Sequence, residues 1–222
     1  MSTSTAQLST WTSRFGKEYT DRNTLSLDEM DAAFAEQFGV SKSSIYRRFV
    51  GPDRLPGGRV LEVGCNIGLQ LRLLEKANAG LELHGLEPQS YAIERARELA
   101  PHHHFHQGNA FALPFADGTY DLVFTHGVLI HIHPNDLPRA LTEIVRVSRR
   151  YVLCHEYYAP ETVEIPYHGQ SGLLWKTDFA RRYLEVAPGL REVERQLYPY
   201  SESTGGPGLV DQVVLFDKGA GA

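Results

Sequence analysis

The sequence has few cysteines and no long apolar run. Its 222 residues include only Cys65 and Cys154, too few for a disulfide framework, so we expect a cytoplasmic protein with two inert core thiols. No stretch approaches the roughly 18 apolar residues that a membrane-spanning helix needs. The N-terminus also lacks the basic and then apolar residues of a secretion signal. These absences argue against membrane, secreted and fibrous proteins.

Positive charge is also in short supply. The chain has 22 lysines and arginines against 27 aspartates and glutamates, which leaves a net charge of −5. Because proteins bind nucleic acids through clustered lysines and arginines, we expect no nucleic-acid partner. Hydrophobic residues make up 42% of the chain and charged residues 22%, as is ordinary for a globular protein, and the length fits one domain.

Strand and helix patterns alternate through the middle of the chain. Apolar, β-branched runs predict strands, and apolar stripes with three- and four-residue spacing predict helices between them. Strands that alternate with helices of about 10–15 residues form parallel sheets with helices on both faces. We therefore predict an α/β fold with strands near 59–63, 81–87, 105, 120–124 and 151–154, closed by late runs at 190–197 and 209–216, the last antiparallel.

The two ends of the chain differ from this middle part. Helical patterns at 27–38 and 41–49 predict a small helical lid, so we expect a lid segment 1–55 and a core 56–222 within a single domain. A stretch at 156–172 rich in proline and tyrosine predicts a long ordered loop, and a short helix is expected at 177–186. Residues 1–8 and 218–222 are small and polar enough to be frayed ends.

A glycine-bearing turn, 64–68 (Gly-Cys-Asn-Ile-Gly), lies where the first strand should lead into the first core helix. Glycine lets a backbone approach a ligand closely, and asparagine tolerates a positive φ better than most residues. Glu87 ends the second strand 23 positions after Gly64, and a carboxylate there can accept two hydrogen bonds from a ribose diol. The spacing differs from the G-x-G-x-x-G of nicotinamide binders, so the pattern predicts another nucleotide-type ligand.

Four segments in this order resemble the successive motifs of class I S-adenosylmethionine-dependent methyltransferases: the turn 64–68, 86–88, 109–115 and 121–126. The resemblance covers about residues 58 to 155. It implies a methyltransferase with a Rossmann-like seven-stranded sheet, with S-adenosylmethionine as cofactor and S-adenosylhomocysteine as product. Asn66 stands where the family has its middle glycine, and Asn109 where an aspartate is commoner. The cofactor-binding residues that the resemblance implies are Tyr19, Arg22, Glu62, Gly64, Asn66, Ile67, Gly68, Glu87, Pro88, Asn109, Ala110, Thr125 and His126.

A narrower resemblance extends almost from end to end. Segments 15–23, 127–132, 156–158, 163–167 and 174–180 are similar to methyltransferases associated with pseudaminic acid biosynthesis. That family name implies a polar small-molecule substrate more than one particular sugar. This chain has Tyr-His-Gly at 167–169, where those proteins commonly have Tyr-Arg-Gly, and its last strand lacks their usual tryptophan. Both differences fall where the substrate should lie.

Histidines follow the fourth predicted strand, at the sheet edge where open α/β folds bind ligands. We predict that His131 acts as a base or orients the nucleophile, and that His126 borders the transferring methyl group. Alternatively, His131 and His133 only cap the helix that begins near residue 134. A metal site of His131, His133 and His155 is the weaker alternative, and we predict no metal. The histidine run at 102–106 predicts a solvated strand edge.

Carboxylates and aromatic rings accumulate after the fifth strand. Together they favour a cationic or amine-bearing substrate, with Glu156 as a catalytic group that holds the cation, or Glu164 in its place. The same residues could instead hydrogen-bond sugar hydroxyls, or the tyrosines could simply pack the loop onto the sheet. The predicted substrate-binding residues are Tyr157, Tyr158, Glu164, Tyr167 and His168.

These patterns predict an enzyme that methylates a polar small molecule, with an amino or guanidino nitrogen of a natural-product metabolite as the favoured acceptor. One alternative is O- or N-methylation of a nonulosonic or other bacterial surface sugar. Another is a non-catalytic subunit that binds the cofactor, which the departure at Asn66 keeps open. We expect a monomer or homodimer with no membrane partner.

Overall fold

The computed structural model describes residues 5–200 and 209–219. Within these ranges lie nine strands and eight α-helices. The strands are β1 (Gly58–Val63), β2 (Leu81–Glu87), β3 (His104–Gln107), β4 (Tyr120–His126), β5 (Ser148–Tyr157), β6 (Val163–Glu164), β7 (Trp175–Lys176), β8 (Arg191–Pro199) and β9 (Val210–Asp217). The helices are α1 (Ala6–Trp11), α2 (Arg14–Arg22), α3 (Leu27–Phe38), α4 (Lys42–Val50), α5 (Leu69–Ala77), α6 (Ser90–Leu99), α7 (Leu137–Val147) and α8 (Phe179–Val186), and a 3-10 turn (Leu129–His131) follows β4.

Seven of the strands form one sheet in the order β3-β2-β1-β4-β5-β9-β8. β1 to β5 run parallel, whereas β9 pairs antiparallel with both β5 and β8. The predicted Rossmann-like seven-stranded sheet is therefore confirmed. β1 has β2 on one side and β4 on the other, so the connections that leave β1 and β4 diverge. This divergence opens a crevice at the carboxyl ends of the strands, where such sheets bind ligands.

Helices cover both faces of the sheet, as the sequence predicts. Val60 and Leu61 are adjacent in β1 and both are fully buried, but their side chains point to opposite faces. Val60 packs in a core with α4, α5 and α6, whereas Leu61 packs in a second core with α7 and α8. Burial on both faces explains why the central strands are almost continuously apolar.

Four helices precede β1, where the sequence predicts two. α3 and α4 match the two predicted patterns, and α3 begins with a capping box in which Ser26 and Glu29 bond each other's backbone N–H groups. α1 and α2 are not predicted, because they contain few apolar residues and their contacts come from distant parts of the chain. For example, Gln89 Nε2 donates to the carbonyl of Trp11 at 3.1 Å.

The described parts of both chain ends are held more firmly than the sequence predicts. The Thr5 side chain accepts a hydrogen bond from Leu8 N and so caps α1. At the other end, Lys218 Nζ donates to the carbonyls of Val145 and Ser148 at 3.1 and 3.0 Å. The prediction of frayed ends is therefore wrong for residues 5–8 and 218, while 1–4 and 220–222 lie outside the described residues.

The division after residue 55 stays a prediction. α4 packs as a core helix does, since Ile45 and Phe49 are almost completely buried against α5 and the sheet. By contrast, α1 buries no residue fully. None of the helices in the described ranges is long and apolar enough to cross a membrane.

The stretch after β5, predicted as a long loop, contains a small β-hairpin. β6 pairs antiparallel with β7, which brings Val163 opposite Lys176 and Glu164 opposite Trp175. The predicted short helix is α8, which begins when the Asp178 side chain accepts a hydrogen bond from Arg181 N. This hairpin places residues 165–174 beside the sheet edge at which β4 ends, as the bond between Leu173 and His131 described below shows.

Candidate active site

A cavity of about 340 Å³ lies between the carboxyl ends of β1, β2 and β4 and the covering helices α1 and α2. Trp11 of α1 and Gly16 of α2 line it from above. His131, the predicted base, also lines it. The predicted cofactor residues that line the cavity are Tyr19, Glu62, Gly64, Asn66, Ile67, Glu87, Pro88, Asn109, Ala110 and His126. The structure thus brings most of the predicted cofactor site together around one space.

The turn after β1 has the backbone shape that its residues predict. Gly64, Asn66 and Gly68 have φ angles of 79°, 46° and 74°, all in the left-handed region. A Cβ on Gly64 would lie 2.6 Å from Val128 Cγ2, so the turn also needs glycine for space. The Asn66 side chain accepts a hydrogen bond from Thr20 Oγ1 at 3.0 Å. The residue that departs from the family's glycine therefore ties the turn to α2.

Glu87 is oriented by backbone donors at the end of β2. Its Oε2 accepts from Asn66 N at 3.1 Å and its Oε1 from Gln89 N at 3.0 Å. Burial raises the pKa of Glu87 to about 7, although these two hydrogen bonds lower it. Each oxygen keeps a second lone pair beside the cavity. This geometry fits the two hydroxyl groups of a ribose.

Glu62 lies in β1, two residues before the turn. It is 1% exposed, and its Oε2 has no hydrogen-bond partner among the described residues. Burial raises the pKa of this carboxyl well above its usual range, although nearby Lys42 opposes the shift. An unpartnered carboxylate oxygen on a cavity wall suits a cationic group of a ligand. The amino group in the methionine part of S-adenosylmethionine is such a group.

Asn109 follows β3 and lines the same space. Its Oδ1 accepts a hydrogen bond from Phe111 N at 3.0 Å, which fixes the orientation of the amide. An amide oxygen has a second lone pair, and the NH₂ group adds two donors. The side chain is therefore suited to a nucleobase edge, the role that the sequence predicts for it.

His131 is held in one tautomer. Its Nδ1 lies 2.7 Å from the carbonyl oxygen of Leu173, which can only accept, so Nδ1 carries the proton and Nε2 carries a lone pair. The ring lies 4.5 Å from the Trp11 ring and 5.1 Å from the Tyr167 ring. Burial lowers the pKa of His131 to about 4, so the imidazole is neutral at neutral pH.

The alternative role of the two histidines as helix caps suits only His133. Its Nδ1 accepts a hydrogen bond from Asn135 N at 3.2 Å, just before α7 begins. His131 instead bonds the hairpin at Leu173 and faces the cavity. His155, the third histidine of the weaker metal-site alternative, is buried in β5 beside Lys42. No close group of metal-ligating atoms within residues 5–200 and 209–219 combines these three histidines.

Glu156 contradicts its predicted role. It is 1% exposed, and its carboxylate accepts from Val128 N at 3.2 Å and Ile130 N at 3.5 Å. Burial raises its pKa to about 7, against the effect of these donors. Glu156 therefore holds the turn that carries His131 and does not line the cavity, because the strand direction at this point aims its side chain into the core.

Several other predicted residues also lie away from the cavity lining. Thr125 is completely buried in β4, and Gly68 caps the start of α5. Glu164 is exposed, and its Oε1 accepts from Gly172 N at 2.6 Å, so it closes the hairpin tip. The remaining residues outside the lining are Arg22 and His168, which are exposed, and Tyr157, Tyr158 and Tyr167, which are partly buried.

A buried cluster behind the cavity wall escapes sequence reasoning. Lys42 is completely buried and its Nζ lies 2.7 Å from His155 Nδ1, while His155 Nε2 lies 3.2 Å from Asp211 Oδ2. Burial lowers the pKa of both Lys42 and His155 well below their usual values. The ring of His126, on the cavity wall, lies 4.6 Å from that of His155. No local pattern marks these residues, because 113 positions separate Lys42 from His155.

The family comparison covers the strands that build this site. Residues 61–153 match the methyltransferase domain family. This stretch resembles methyltransferase domains. The match supports the predicted enzyme class, an S-adenosylmethionine-dependent methyltransferase, and the predicted cofactor. The narrower likeness to pseudaminic acid-associated methyltransferases is not shown and stays a prediction.

Proteins similar to this chain are named as varied methyltransferases. An uncharacterized methyltransferase of Schizosaccharomyces pombe is 33% identical over 111 residues, which are 44% of this chain and 39% of that protein. A sterol 24-C-methyltransferase of the same yeast is 30% identical over 53% of this chain and 34% of its own length. A phosphatidylethanolamine N-methyltransferase of Cereibacter sphaeroides is 29% identical over 74% of this chain and 85% of that protein. The chain therefore spans little more than a third of the two yeast relatives.

Solved methyltransferase structures share the fold at low sequence identity. The 1,6-didemethyltoxoflavin-N1-methyltransferase of Burkholderia thailandensis, solved with 1,6-didemethyltoxoflavin and S-adenosylhomocysteine, superimposes with a TM-score of 0.67. The superposition covers 98% of this chain and 92% of that chain at 17% identity. It confirms the fold and leaves the substrate of this protein open.

Proposed function

We propose that the protein transfers a methyl group from S-adenosylmethionine to a nitrogen of a polar small molecule. The observation that carries this proposal is a single cavity with Glu87 and the glycine turn on one side and His131 on the other. The bound cofactor supplies an electrophilic methyl group on a sulfonium. The protein then has to bind it, align the acceptor with it and keep water out.

Binding of the cofactor falls to the side chains and turn at the ends of β1, β2 and β3. Glu87 would accept hydrogen bonds from the ribose hydroxyls, Glu62 would hold the methionine ammonium, and Asn109 would face the adenine edge. α1 and α2 act as the lid. Hydrogen bonds from Gln89 to Trp11 and from Thr20 to Asn66 hold these helices over the cavity. This lid excludes water, which strengthens every charge interaction in the cavity.

The acceptor lies on the His131 side, between aromatic side chains. Nε2 of His131 accepts a hydrogen bond from the acceptor N–H and so aims the nitrogen lone pair at the methyl group. Once the new C–N bond has formed, Nε2 takes the proton that the nitrogen loses. With a pKa near 4, His131 cannot deprotonate an alkylammonium group, so the acceptor is a weakly basic nitrogen that is neutral at pH 7.

This proposal modifies the sequence prediction of a cationic substrate held by Glu156 or Glu164. Neither carboxylate lines the cavity, so the cationic character of the substrate loses its main support. Nitrogen remains the favoured acceptor atom. It is supported by two similar proteins, one named as a phosphatidylethanolamine N-methyltransferase and one as an N1-methyltransferase of a heterocycle.

Mass spectrometry of methyl transfer tests the proposal. Purified protein and S-adenosylmethionine would be incubated with three pools: weakly basic N–H heterocycles, amino and guanidino metabolites, and acidic deoxy-sugars with their nucleotide conjugates. We expect a gain of one methylene in the first pool. A gain only in the sugar pool would support the alternative of surface-sugar methylation. Cofactor binding with no product in any pool would favour the non-catalytic alternative and contradict the proposal.

A further inference from the structure

A second group of polar side chains lies on the sheet face near its β3 edge. Glu82 and His84 are two residues apart in β2, and His104 and His106 are two apart in β3. A two-residue spacing puts side chains of a strand on one face, and His84 pairs with His104 across the two strands. All four side chains therefore meet on the same surface, and none of them lines the cavity.

This surface lies on the α7 side of the sheet, yet none of the helices in the described parts of the chain covers it. The connection between β3 and β4, residues 108–119, contains turns and bends without a helix. Two aromatic rings close the inner side of the group instead, Phe115 at 5.1 Å from the His106 ring and Tyr120 at 5.1 Å from the His84 ring. The outer side, with Glu82 and His104, is exposed to solvent.

The nitrogen and oxygen atoms of three residues converge. His84 Nε2 lies 2.9 Å from Glu82 Oε1, and His104 Nε2 lies 4.0 Å from the same oxygen. One ligand atom from each of Glu82, His84 and His104 lies within 4.8 Å of the other two. Arg59 is 3.4 Å from the other carboxylate oxygen, Oε2, so it leaves Oε1 to the histidines.

The other nitrogen of His84 has the partners that a metal-binding histidine needs. His84 Nδ1 lies 3.2 Å from His106 Nε2 and 3.4 Å from the Tyr120 hydroxyl. His84 Nε2–H donates to Glu82 Oε1, and a metal ion at Nε2 would shift the proton to Nδ1, where His106 Nε2 can accept it. Outer partners of this kind fix the tautomer and the ring orientation of histidine ligands.

We infer that Glu82, His84 and His104 bind a divalent transition-metal ion of the zinc type, with His106 as a positioning residue. Two imidazole nitrogens and one carboxylate oxygen, with water in the fourth position, are a ligand set that Zn²⁺ takes in proteins. Coordination would require the exposed His104 ring to move toward Glu82, from which it lies 4.0 Å away. The ion would tie β3, an edge strand paired only with β2, to the rest of the sheet.

Calorimetric titration of chelator-treated protein with Zn²⁺ tests this inference. We expect one ion to bind, with a rise in melting temperature, and we expect His84→Gln and His104→Gln to lose both effects. His106→Gln should still bind Zn²⁺ but about 10–100-fold more weakly, because it removes only the outer hydrogen bond. Should the half-buried His84→Gln fail to fold, the exposed His104→Gln carries the same test.

A neighbouring group supplies the matched control. Glu75, His102 and His103 also bring ligand atoms within 4.8 Å of one another, but His102 and His103 are adjacent in sequence and Glu75 comes from α5. His102→Gln should leave Zn²⁺ affinity and the shift in melting temperature unchanged. No saturable binding by the unaltered protein, or loss of binding in His102→Gln with retention in His84→Gln and His104→Gln, would overturn the inference.

Discussion

The side of the cavity assigned to the cofactor and the side assigned to the acceptor are built differently. The cofactor side uses strand ends and one turn, so that Glu87 is held by backbone N–H groups of Asn66 and Gln89. The acceptor side is assembled from side chains of distant segments. His131 follows β4, Trp11 belongs to α1, and Leu173 belongs to the hairpin. Short motifs therefore specify the first side, whereas tertiary packing specifies the second.

Lys42→Ala should have the largest effect, because it removes the centre of the buried cluster behind the cavity wall at His126. The change leaves His155 without its 2.7 Å partner and leaves nearby buried carboxylates uncompensated. We expect the free energy of unfolding to fall by about 3–5 kcal/mol, as measured by urea denaturation. The control is Lys76→Ala, which breaks surface ion pairs with Asp28 and Asp31 and should cost about 1 kcal/mol or less. If both variants lost the same free energy of unfolding, the buried Lys42 would stabilise the protein no more than a surface lysine does.

Glu87→Ala should affect only the cofactor side of the cavity, and its effect should appear in the affinity for S-adenosylmethionine. Loss of two charge-assisted hydrogen bonds to the ribose should weaken S-adenosylmethionine binding by roughly 100-fold, measured by calorimetry. Glu94→Ala, on the exposed face of α6, should leave the affinity as it is. Unchanged affinity in the Glu87 variant would refute the ribose role.

His131→Ala should have the opposite signature. We expect kcat to fall about 100-fold, at the lower end for general base catalysis because the pKa near 4 makes His131 a weak base. Cofactor affinity should stay within twofold or so of the original value, since His131 contacts the acceptor alone. His133→Ala is the control, because that ring lies beside Trp175 and outside the cavity. A variant that turns over at the original rate would remove His131 from the mechanism.

The pH dependence of cofactor binding should report Glu87. Its carboxylate form accepts both ribose hydrogen bonds, and its pKa of about 7 means that protonation removes this form as the pH falls. Affinity should therefore be about tenfold lower at pH 6 than at pH 8. Glu87→Gln should bind weakly with little dependence on pH over this range. A dependence that persists in that variant would assign the titration to another group.

Thr20→Val should have the smallest effect and tests how the lid is coupled to the turn. It removes the 3.0 Å hydrogen bond to Asn66 while keeping the size of the side chain. Such a bond contributes about 1 kcal/mol, so cofactor affinity should fall about fivefold. Thr12→Val, on an exposed residue that bonds only within the N-terminal helices, is the control. Equal affinities of the two variants would mean that the lid closes independently of Asn66.

Sequence reasoning succeeded where a signal is local. The boundaries of α3 and the turn at 64–68 follow from apolar spacing, capping residues and glycine. Sequence reasoning failed at Glu156. The strand pattern places this residue near the end of β5, but it does not show on which face of the sheet the side chain lies. It also failed at α1 and α2, which have little apolar surface of their own and are held by contacts with Gln89 and Asn66.

The amino-acid sequence by itself determined the α/β class, the order of the strands and helices of the core, and the turn and Glu87 on one side of the cavity. These depend on the period of apolar residues and on which residues end each strand, and both are written within short stretches of chain. Only the tertiary structure decided the tautomer of His131, the burial of Lys42 and the convergence of Glu82 with His104. Each of these depends on partners from separate segments, up to 113 positions apart for Lys42 and His155, and such distances leave no local pattern.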